Sequence, residues 1–510
     1  MRRAAKKVAL TSAVGVGAYS AFQLMPESQT KYNIEAYFRS TKQIALAAKV
    51  GYNAYVDYKT NLKPIEDAPY FRDELRKFHV RTAKEIYELC SKAKGIYIKF
   101  GQYLSTLERI LPKDVTDVLK GLQDSCPPHS INTMEIVLDY EFKNWREFIK
   151  QIESEPIGAA SLAQVHKAVL ADGSCAAIKI QYPELFRQYD LDIKFLSFLT
   201  RWASMFLSKR NMDSYDFEGI FNKFKLSIRN EIDFELEVAN AKFMSEFLRD
   251  NPYIKIPDVY EQFSSKRVIT MEFVEGIRID QNDEIKAKLN IDPKICADLL
   301  VELFGSMIFK TGRIHCDPHP GNILIRKNPS IKDAPQIVLL DHGFYRTLDP
   351  EFRMRFVNLW IAIVTHNHSE MKRLATEFGI GDKYRYLPLV FLFKSQNTRK
   401  LGANIAKEDV ARFKEENVLS FSNIFSLLEE FPDDFLLIIR ASNLVAMRNV
   451  ILGGTHRERL LKFTRIAFTE KYPSSASFWL HWVSFRFKLL FYESFFFLYR
   501  LLFHVDTSII

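Results

Sequence analysis

The stretch IHCDPHPGNILI, residues 314–325, carries the most specific chemical pattern in this chain. Asp317 and Asn322 stand five residues apart, and His315 lies two residues before the aspartate. An aspartate in such a loop can orient an attacking hydroxyl group or accept its proton, and an asparagine amide oxygen can bind a metal ion. The apolar residues that follow predict a short strand that begins directly after Asn322.

Two further segments, one on each side, extend this pattern. The sequence IVLLDHGF, residues 337–344, predicts a second short strand followed by Asp341, whose carboxylate can bind Mg²⁺ at nucleotide phosphates. Upstream, the sequence AAIKI places Lys179 in a strand, as in the phosphate-binding lysine motif of kinases. Each motif is weak alone. Their common order and spacing match the catalytic elements of protein kinases and predict an ATP and Mg²⁺ site.

A second interpretation of the same loop is a metal centre. His315, Asp317 and His319 form an H-x-D-x-H pattern that could supply three ligands, as in a metallohydrolase. This alternative leaves Lys179 and Asp341 without a role, so we regard it as the weaker interpretation.

The alternation of predicted elements indicates the fold class. Residues 31–135 have helical periodicity, strand patterns appear near 155–181, 266–274, 322–327 and 336–341, and the remainder is mostly helical. We predict an α+β, bilobal protein-kinase-like fold with an added N-terminal helical domain and a C-terminal aromatic helical tail. The predicted segments are a leader at 1–30, a helical extension at 31–135, an N-lobe at 136–275, a C-lobe at 276–470 and an aromatic tail at 471–510.

Composition limits the partners. The 510 residues carry a formal net charge of +9, which suits anionic partners such as nucleotides or acidic lipids. The chain has no arginine-rich tract and no aromatic RNA-binding motif, so nucleic acid is not an expected partner. The five cysteines are scattered and include no C-x-x-C pair, which argues against a disulfide framework or structural zinc and favours a reducing compartment.

The two ends of the chain have membrane-related patterns. The first acid is Glu27, and the basic, acid-free leader is typical of a mitochondrial presequence or a bacterial-type signal. Residues 8–25 are also a candidate membrane anchor, although an ordinary leader remains an alternative. The aromatic stretch 478–503 is interrupted by charges, so we expect either a helix in a membrane interface or a terminal helix that packs on the protein.

These motifs together resemble the aarF-domain-containing kinase family, also called the UbiB family of atypical protein-kinase-like proteins, and within it a mitochondrial subgroup. Four stretches carry the resemblance: IKFGQ at 98–102, IGAASLAQVH at 157–166, NEIDFELE at 230–237, and HCDPHPGN with the later DHG. The second stretch is similar to the alanine-rich loop that replaces the usual glycine-rich loop of kinases. The first and third are similar to the K-x-G-Q and E-x-D signatures of the family.

The resemblance implies a role for each matching residue. Lys99 is expected to pair with Glu231, and Lys179 with Glu237. Catalytic roles fall to Asp317, Asn322 and His315, and metal binding to Asn322 and Asp341. The K-x-G-Q and E-x-D motifs also include Gly101, Gln102 and Asp233. The implied ATP-binding residues are Ile157, Gly158, Ala159, Ala160, Ser161, Gln164, Val165, Lys179, Glu237, Met271 and Phe273.

The resemblance also implies a function. We expect an ATP- and Mg²⁺-dependent atypical kinase or ATPase, associated with the mitochondrial inner membrane, that acts in membrane lipid or quinone homeostasis and mitochondrial organisation. The expected partners are nucleotide, mitochondrial membrane lipids and inner-membrane proteins. The alternative is a nucleotide-gated scaffold at the same membrane, whose function does not require turnover.

Three departures from ordinary kinases bear on the substrate. Cys316 stands where the H-R-D arginine would receive a phosphorylated loop, and His342 replaces the D-F-G phenylalanine. No A-P-E follows Gly343, and a helical pattern soon begins. These features favour a small-molecule or lipid substrate, or ATP hydrolysis, over phosphorylation of proteins.

Overall fold

The computed structural model describes residues 29–65, 68–107, 111–124, 128–208, 217–392 and 431–503. The described residues up to Phe234, together with Tyr260–Thr270, form a first compact unit. Glu235–Val259 and the described residues from Met271 onward form a second. Both units contain helices and strands, which confirms the α+β class. The candidate anchor at 8–25 lies outside the described residues, and the five predicted segment boundaries stay predictions.

The first unit begins with helices. Short 3₁₀ or π turns follow at Tyr58–Leu62, Lys63–Ile65, Lys120–Asp124 and Glu261–Phe263. The helices are α1 (Gln29–Asp57), α2 (Phe71–Ala93), α3 (Ile96–Ser105), α4 (Lys113–Leu119), α5 (Ile131–Glu141), α6 (Trp145–Phe148), α7 (Pro183–Ser208) and α8 (Phe217–Glu231).

The first unit also contains a mostly antiparallel sheet with the strand order β1-β3-β4-β6, to which β2 adds beside β3. Along β4 the side chains of Ile178 and Ile180 are fully buried, whereas Lys179 points to the other face, as the alternation of a strand requires. The strands are β1 (Ile149–Ile152), β2 (Gly158–Ala159), β3 (Ala163–Leu170), β4 (Cys175–Gln181) and β6 (Val268–Glu272).

The second unit is largely helical. Several of its helices begin with a side chain that satisfies free backbone N–H groups. Asp349 accepts hydrogen bonds from the Glu351 and Phe352 amides, and Thr455 forms a capping box with Glu458. The helices are α9 (Phe234–Phe247), α10 (Asn282–Glu284), α11 (Pro293–Ser306), α12 (Pro350–Val364), α13 (His368–Glu377), α14 (Leu387–Leu392), α15 (Asp433–Ile451), α16 (His456–Lys471) and α17 (Ser475–Phe503).

Two small sheets complete the second unit. One has the order β5-β10-β9-β7, and the other pairs β11 with β8. Further 3₁₀ or π turns lie at Ile285–Leu289, Met307–Thr311, Pro320–Asn322 and Gly381–Tyr386. The strands are β5 (Ile254–Lys255), β7 (Ile277–Arg278), β8 (Arg313–His315), β9 (Ile323–Lys327), β10 (Pro335–Leu339) and β11 (Tyr345–Thr347).

Each unit has its own hydrophobic core. In the second unit this core is rich in aromatic side chains, and Trp360 is almost fully buried among Phe309, Phe356 and Phe463. Large buried rings remove much apolar surface from water and therefore contribute strongly to stability. The four cysteines in the described part of the chain are unpaired, in agreement with the scattered cysteine pattern.

The C-terminal helix α17 packs on the second unit, which is one of the two arrangements expected for it, and its placement in a membrane interface stays a prediction. Phe478, Phe485 and Leu489 are buried and belong to the core of the second unit. The Phe468 ring of α16 lies 5.6 Å from the ring of Phe485. A second set of large apolar side chains on α17 is exposed. Among the described residues, none of the helices combines the length and the apolar character needed to cross a membrane.

Candidate active site

The register of two antiparallel strand pairs brings two loops of the second unit together. Leu339 at the end of β10 is opposite Ile323 at the start of β9, and Tyr345 of β11 is opposite His315 of β8. We call residues 316–322 the Asp317 loop and residues 340–344 the Asp341 loop. The two loops must therefore emerge at the same end of these strands.

Backbone hydrogen bonds join the two loops at both ends. The Leu340 amide donates to the Asn322 carbonyl at 2.9 Å, and the Cys316 amide donates to the Phe344 carbonyl at 3.0 Å. The predicted base Asp317 is exposed, while Asn322 and Asp341 are half-buried. The arrangement presents two carboxylates and one amide from a rigid pair of turns.

His315 holds the Asp317 loop rather than facing solvent. Its ring is 1% exposed, and its Nδ1 accepts a hydrogen bond of 3.1 Å from the Asp317 backbone N–H. Burial lowers the pKa of His315, which keeps the imidazole neutral and able to accept this bond. The sequence predicts a catalytic role for His315, whereas its buried ring and its hydrogen bond to the Asp317 N–H indicate a positioning role.

Gly343 fits closely in the Asp341 loop. The Gly343 amide donates a hydrogen bond of 2.8 Å to Asp341 Oδ1, which fixes the carboxylate. A Cβ atom at Gly343 would lie 3.2 Å from that oxygen and 3.3 Å from Glu237 Oε2. The buried Glu237 of α9 and the Asp341 carboxylate therefore flank this glycine, and a side chain there would press against both.

Helix α9 holds the Asp341 loop through a residue that the sequence analysis missed. Asn240 Nδ2 donates a hydrogen bond of 2.9 Å to the His342 carbonyl, and its Oδ1 accepts one from Arg313. Asn240 is 8% exposed. It lies three residues after Glu237, so both face the same side of the helix. The spacing of three residues from Glu237 could have indicated from the sequence that Asn240 faces the same site.

His342 has a structural role in the Asp341 loop. Its ring is 2% exposed, its Nε2 lies 3.2 Å from the Leu339 carbonyl, and its Nδ1 lies 3.0 Å from the Tyr345 hydroxyl. With Nε2–H donating to the carbonyl, the phenol must donate to Nδ1. Burial raises the pKa of Tyr345 well above its ordinary value, with a smaller effect from Asp341, so the phenol keeps its proton. The ring is fixed where a mobile phenylalanine stands in ordinary kinases.

The alternative metal centre does not form. His315 Nδ1 is occupied by the Asp317 amide, and His319 Nδ1 accepts a 3.2 Å hydrogen bond from the Gly321 amide. Within the described ranges, no group of three or more His, Cys, Asp or Glu side chains is placed to hold a metal ion. Asn322 and Asp341 offer hard oxygen ligands of the kind that Mg²⁺ prefers, and their role as metal ligands stays a prediction.

Cys316 stands at the position of the H-R-D arginine and is buried. The residue is 1% exposed, and burial raises the pKa of its thiol to about 11. Only six residues separate Gly343 from Pro350, the first residue of α12. This part of the second unit therefore contains no long segment of the kind on which kinases dock peptides.

In the first unit, Lys179 lies on β4 opposite Val165 of β3. Its Nζ is 5.1 Å from the centre of the Phe234 ring, a distance compatible with a cation–π contact. Lys179 belongs to the first unit and Glu237 to the second. The pairing of these two side chains stays a prediction.

The alanine-rich loop, residues 157–163, forms an open turn on the first unit. The Ile157 amide donates to the Val165 carbonyl and the Ala160 amide donates to the Ala163 carbonyl, each at 2.8 Å. Residues 157–160 are exposed, and a Cβ atom at Gly158 would meet nothing within 4 Å. Residues 158–160 carry small side chains, which leaves the backbone of this part of the loop accessible, as phosphate binding needs.

Gln164 has a structural role that its motif did not predict. The side chain is fully buried, accepts a 2.9 Å hydrogen bond from the His129 amide and donates one of 3.0 Å to the His129 carbonyl. It also lies 2.7 Å from His166 Nε2. We predicted Gln164 as an ATP-binding residue, but these contacts occupy its amide. Gln164 and His129 are 35 positions apart, so no local sequence pattern could predict their contact.

The K-x-G-Q helix α3 is anchored by all three of its motif residues. Lys99 Nζ lies 2.5 Å from Glu231 Oε2 of α8, the ion pair that the resemblance implies. Gln102 donates a 2.9 Å hydrogen bond to the Leu122 carbonyl. A Cβ atom at Gly101 would lie 2.3 Å from Leu122 Cδ1, so a larger residue there would force the buried Leu122 side chain to move.

The other predicted residues lie near the places where the chain passes between units. Asp233 precedes Phe234, the last residue of the first unit before that passage. Met271 lies in β6 and is the residue at which the chain returns to the second unit. Phe273 follows two residues later. The ATP-binding roles of Met271 and Phe273 stay predictions.

Comparison with known proteins agrees with this geometry. A family model described as the ABC1 atypical kinase-like domain matches residues 121–375. AarF domain-containing protein kinase 1 from Mus musculus is 31% identical over 461 residues, which are 89% of this chain and 85% of that protein. The protein of the same name from Gallus gallus is 32% identical over 455 residues, 87% of this chain and 84% of that protein.

A more distant animal relative gives the same result. AarF domain-containing kinase 1 from Drosophila melanogaster is 31% identical over 385 residues, 74% of this chain and 73% of that protein. The matched family model spans the alanine-rich loop, Lys179, the Asp317 loop and the Asp341 loop. The chain is therefore a member of the ABC1 (AarF, UbiB) family of atypical kinase-like proteins.

Proposed function

We propose that this chain binds MgATP and acts as an atypical kinase or ATPase of mitochondria, with a role in membrane lipid or quinone homeostasis. The observation that supports this most directly is the hydrogen-bonded pair of loops carrying Asp317, Asn322 and Asp341. Bound Mg²⁺ would neutralise phosphate charge, and Asn322 and Asp341 would hold it. Lys179 and the amides of the alanine-rich loop would bind the phosphates.

In this proposal Asp317 acts on the phosphoryl acceptor. Its carboxylate is exposed while its backbone N–H is held by buried His315, so the group can reach a hydroxyl or water without losing its position. It would orient that group and accept its proton. The short connection between Gly343 and α12 favours a small molecule, a lipid or water as acceptor.

Two variants test the proposal. Lys179→Arg should weaken MgATP binding because a guanidinium does not replace the compact ammonium at the phosphates. Asp317→Asn should bind MgATP normally and lose turnover by roughly 10²–10⁴-fold, which is typical for loss of a general base. Calorimetric binding and phosphate release, measured on the same preparations, separate the two effects. Full phosphate release by Asp317→Asn would contradict the role of Asp317.

The same variants test the alternative, a nucleotide-gated scaffold. If Asp317→Asn restores the phenotype of a strain that lacks the protein and Lys179→Arg does not, binding without turnover is the function. An enzyme predicts that neither variant restores it. Restoration by both would place the function outside the nucleotide site.

The proposed location is the mitochondrion, with association to the inner membrane. It is motivated by the acid-free leader with Arg2, Arg3, Lys6 and Lys7. Removal of residues 1–26 should abolish import of a tagged chain, as seen by imaging. Unchanged mitochondrial localisation would show that the targeting signal lies elsewhere in the chain.

A further inference from the structure

Helix α17 presents two apolar faces. One is packed against the core of the second unit through Phe478, Phe485 and Leu489. At 3.6 residues per turn, the other large apolar residues of the helix lie about half a turn away from these three. They are between 54% and 69% exposed, and we call them the outer face: Trp479, Leu480, Val483, Phe487, Leu490 and Phe491.

Contacts with the described residues leave this face largely exposed. A terminal helix that only packs on a protein carries polar residues on the side away from the core. Here that side carries six large apolar side chains, which are spaced along about 18 Å of the helix. Exposed apolar surface of this kind marks a contact with something outside the chain.

The charges around the outer face indicate what it contacts. Arg486 borders it on one side and Lys488 on the other, and both are exposed. No acid occurs between Glu470 and Glu493. Long basic side chains at the borders of an apolar helix face can extend their charges to lipid phosphates while the face enters the acyl region.

We propose that the outer face of α17 is a membrane-binding surface that lies in the interface of a bilayer containing anionic lipids. The helix rests on such a surface and does not cross it, in keeping with the absence of a membrane-crossing helix among the described residues. Trp479 belongs to the residue type that favours this depth. The segment 494–503, SFFFLYRLLF, continues the same composition with a single charge at Arg500.

This inference deepens the proposed membrane location, because it assigns the surface that makes the contact. It is independent of the nucleotide site, since neither Asp317 nor Lys179 takes part in it. The outer face carries no acid that would repel lipid phosphates. A bilayer is therefore favoured over a second protein surface, which would need its own complementary partner for the bordering cations.

Vesicle flotation of the purified full-length protein tests the surface. We expect the wild type to float with phosphatidylcholine vesicles that contain phosphatidylglycerol. Leu480→Gln, Phe487→Gln and Leu490→Gln, combined in one variant, should weaken this binding at least about 100-fold. A matched triple variant with glutamine at the exposed apolar positions Leu226, Ile295 and Met447 should bind as the wild type does.

The bordering cations have a separate effect. Arg486→Gln with Lys488→Gln should lower affinity for the anionic vesicles by roughly 30-fold, since each charge contributes about 1 kcal/mol near such a surface. Binding to vesicles of phosphatidylcholine alone should not change. MgATP binding of both α17 variants should equal that of the wild type, so loss of vesicle binding can be told apart from failure of the proposed nucleotide site.

Trp479 provides a readout that needs no disruptive variant. In the otherwise unchanged chain, brominated lipids should quench tryptophan fluorescence, and Trp479→Phe should remove most of that quenching. Equal flotation of the wild type and the outer-face triple variant would overturn the proposal. A wild-type dimer that the triple variant converts to monomers, with no quenching by lipid, would assign the face to a second protein copy instead.

Discussion

The Asp341 loop and the alanine-rich loop are both expected to contact nucleotide, yet they are held in opposite ways. The Asp341 loop is fixed by hydrogen bonds from Asn240, Gly343 and Leu340 and by the buried His342 ring. The alanine-rich loop is held by short backbone pairing, and its tip is exposed. The fold sets the position of the first loop, whereas a bound phosphate can adjust the second.

This contrast assigns different consequences to substitutions in the two loops. A change around the Asp341 loop alters a buried network of polar groups, and buried groups left without partners are costly. A side chain substituted at the exposed tip of the alanine-rich loop, by contrast, would lie in solvent. We therefore expect the first loop to control stability and metal geometry together, and the second to control ligand affinity with little effect on folding.

The largest expected effect is that of Asn240→Ala. It removes the donor to the His342 carbonyl and the acceptor of Arg313, so the free energy of unfolding should fall by about 2–3 kcal/mol. Urea denaturation of the purified protein measures this. Glu246→Ala, at an exposed position of the same helix, is the control and should change stability by less than about 0.5 kcal/mol. Equal stability of both variants would show that the two hydrogen bonds of Asn240 do not contribute to the stability of the fold.

A smaller effect is expected for Tyr345→Phe. The phenol donates to His342 Nδ1, and its loss should lower the free energy of unfolding by about 1 kcal/mol. Because burial raises the pKa of Tyr345 well above its ordinary value, the phenol keeps its proton at neutral and mildly alkaline pH. The difference from wild type should therefore be constant between about pH 7 and pH 9. A difference that disappears as the pH rises would mean that this phenol titrates.

The smallest effect on stability is expected for Gly158→Ala in the alanine-rich loop. Since a Cβ atom there meets nothing within 4 Å, the change should stabilise the fold by about 0.4–1 kcal/mol through the unfolded chain. Any change in MgATP affinity should then arise from the loop itself. Destabilisation by more than about 1 kcal/mol would mean that the loop is as tightly packed as the Asp341 loop.

Local sequence was enough to predict the elements that carry the site. Strand patterns before Asp341 and after Asn322 predicted β10 and β9, and the alternation around Lys179 predicted β4, because these signals depend on neighbouring residues. The ion pair of Lys99 with Glu231 followed from the family motif. Nothing in periodicity alone distinguished that pair from two solvated charges.

Contacts between distant positions were not predictable from local patterns. Asn240 and His342 are 102 positions apart, so their hydrogen bond depends on how α9 packs in the second unit. Gln164 was assigned to nucleotide by its motif, whereas burial directs its amide to His129. For α17, composition left two interpretations open; the buried face of the helix shows the packed arrangement, and the membrane contact of the exposed face is our proposal.

The most direct test of the central claim, that Asp341 holds Mg²⁺ at bound ATP, is calorimetric titration of Asp341→Asn with ATP in the presence and absence of Mg²⁺. An amide keeps the size and an oxygen but removes the charge that a hard cation needs. Asp333→Asn, the same change in an exposed turn, is the matched control. We expect metal-free binding to be retained and MgATP affinity to fall at least about tenfold, or roughly 1.4 kcal/mol. An Mg²⁺ dependence equal to that of the control would contradict the account.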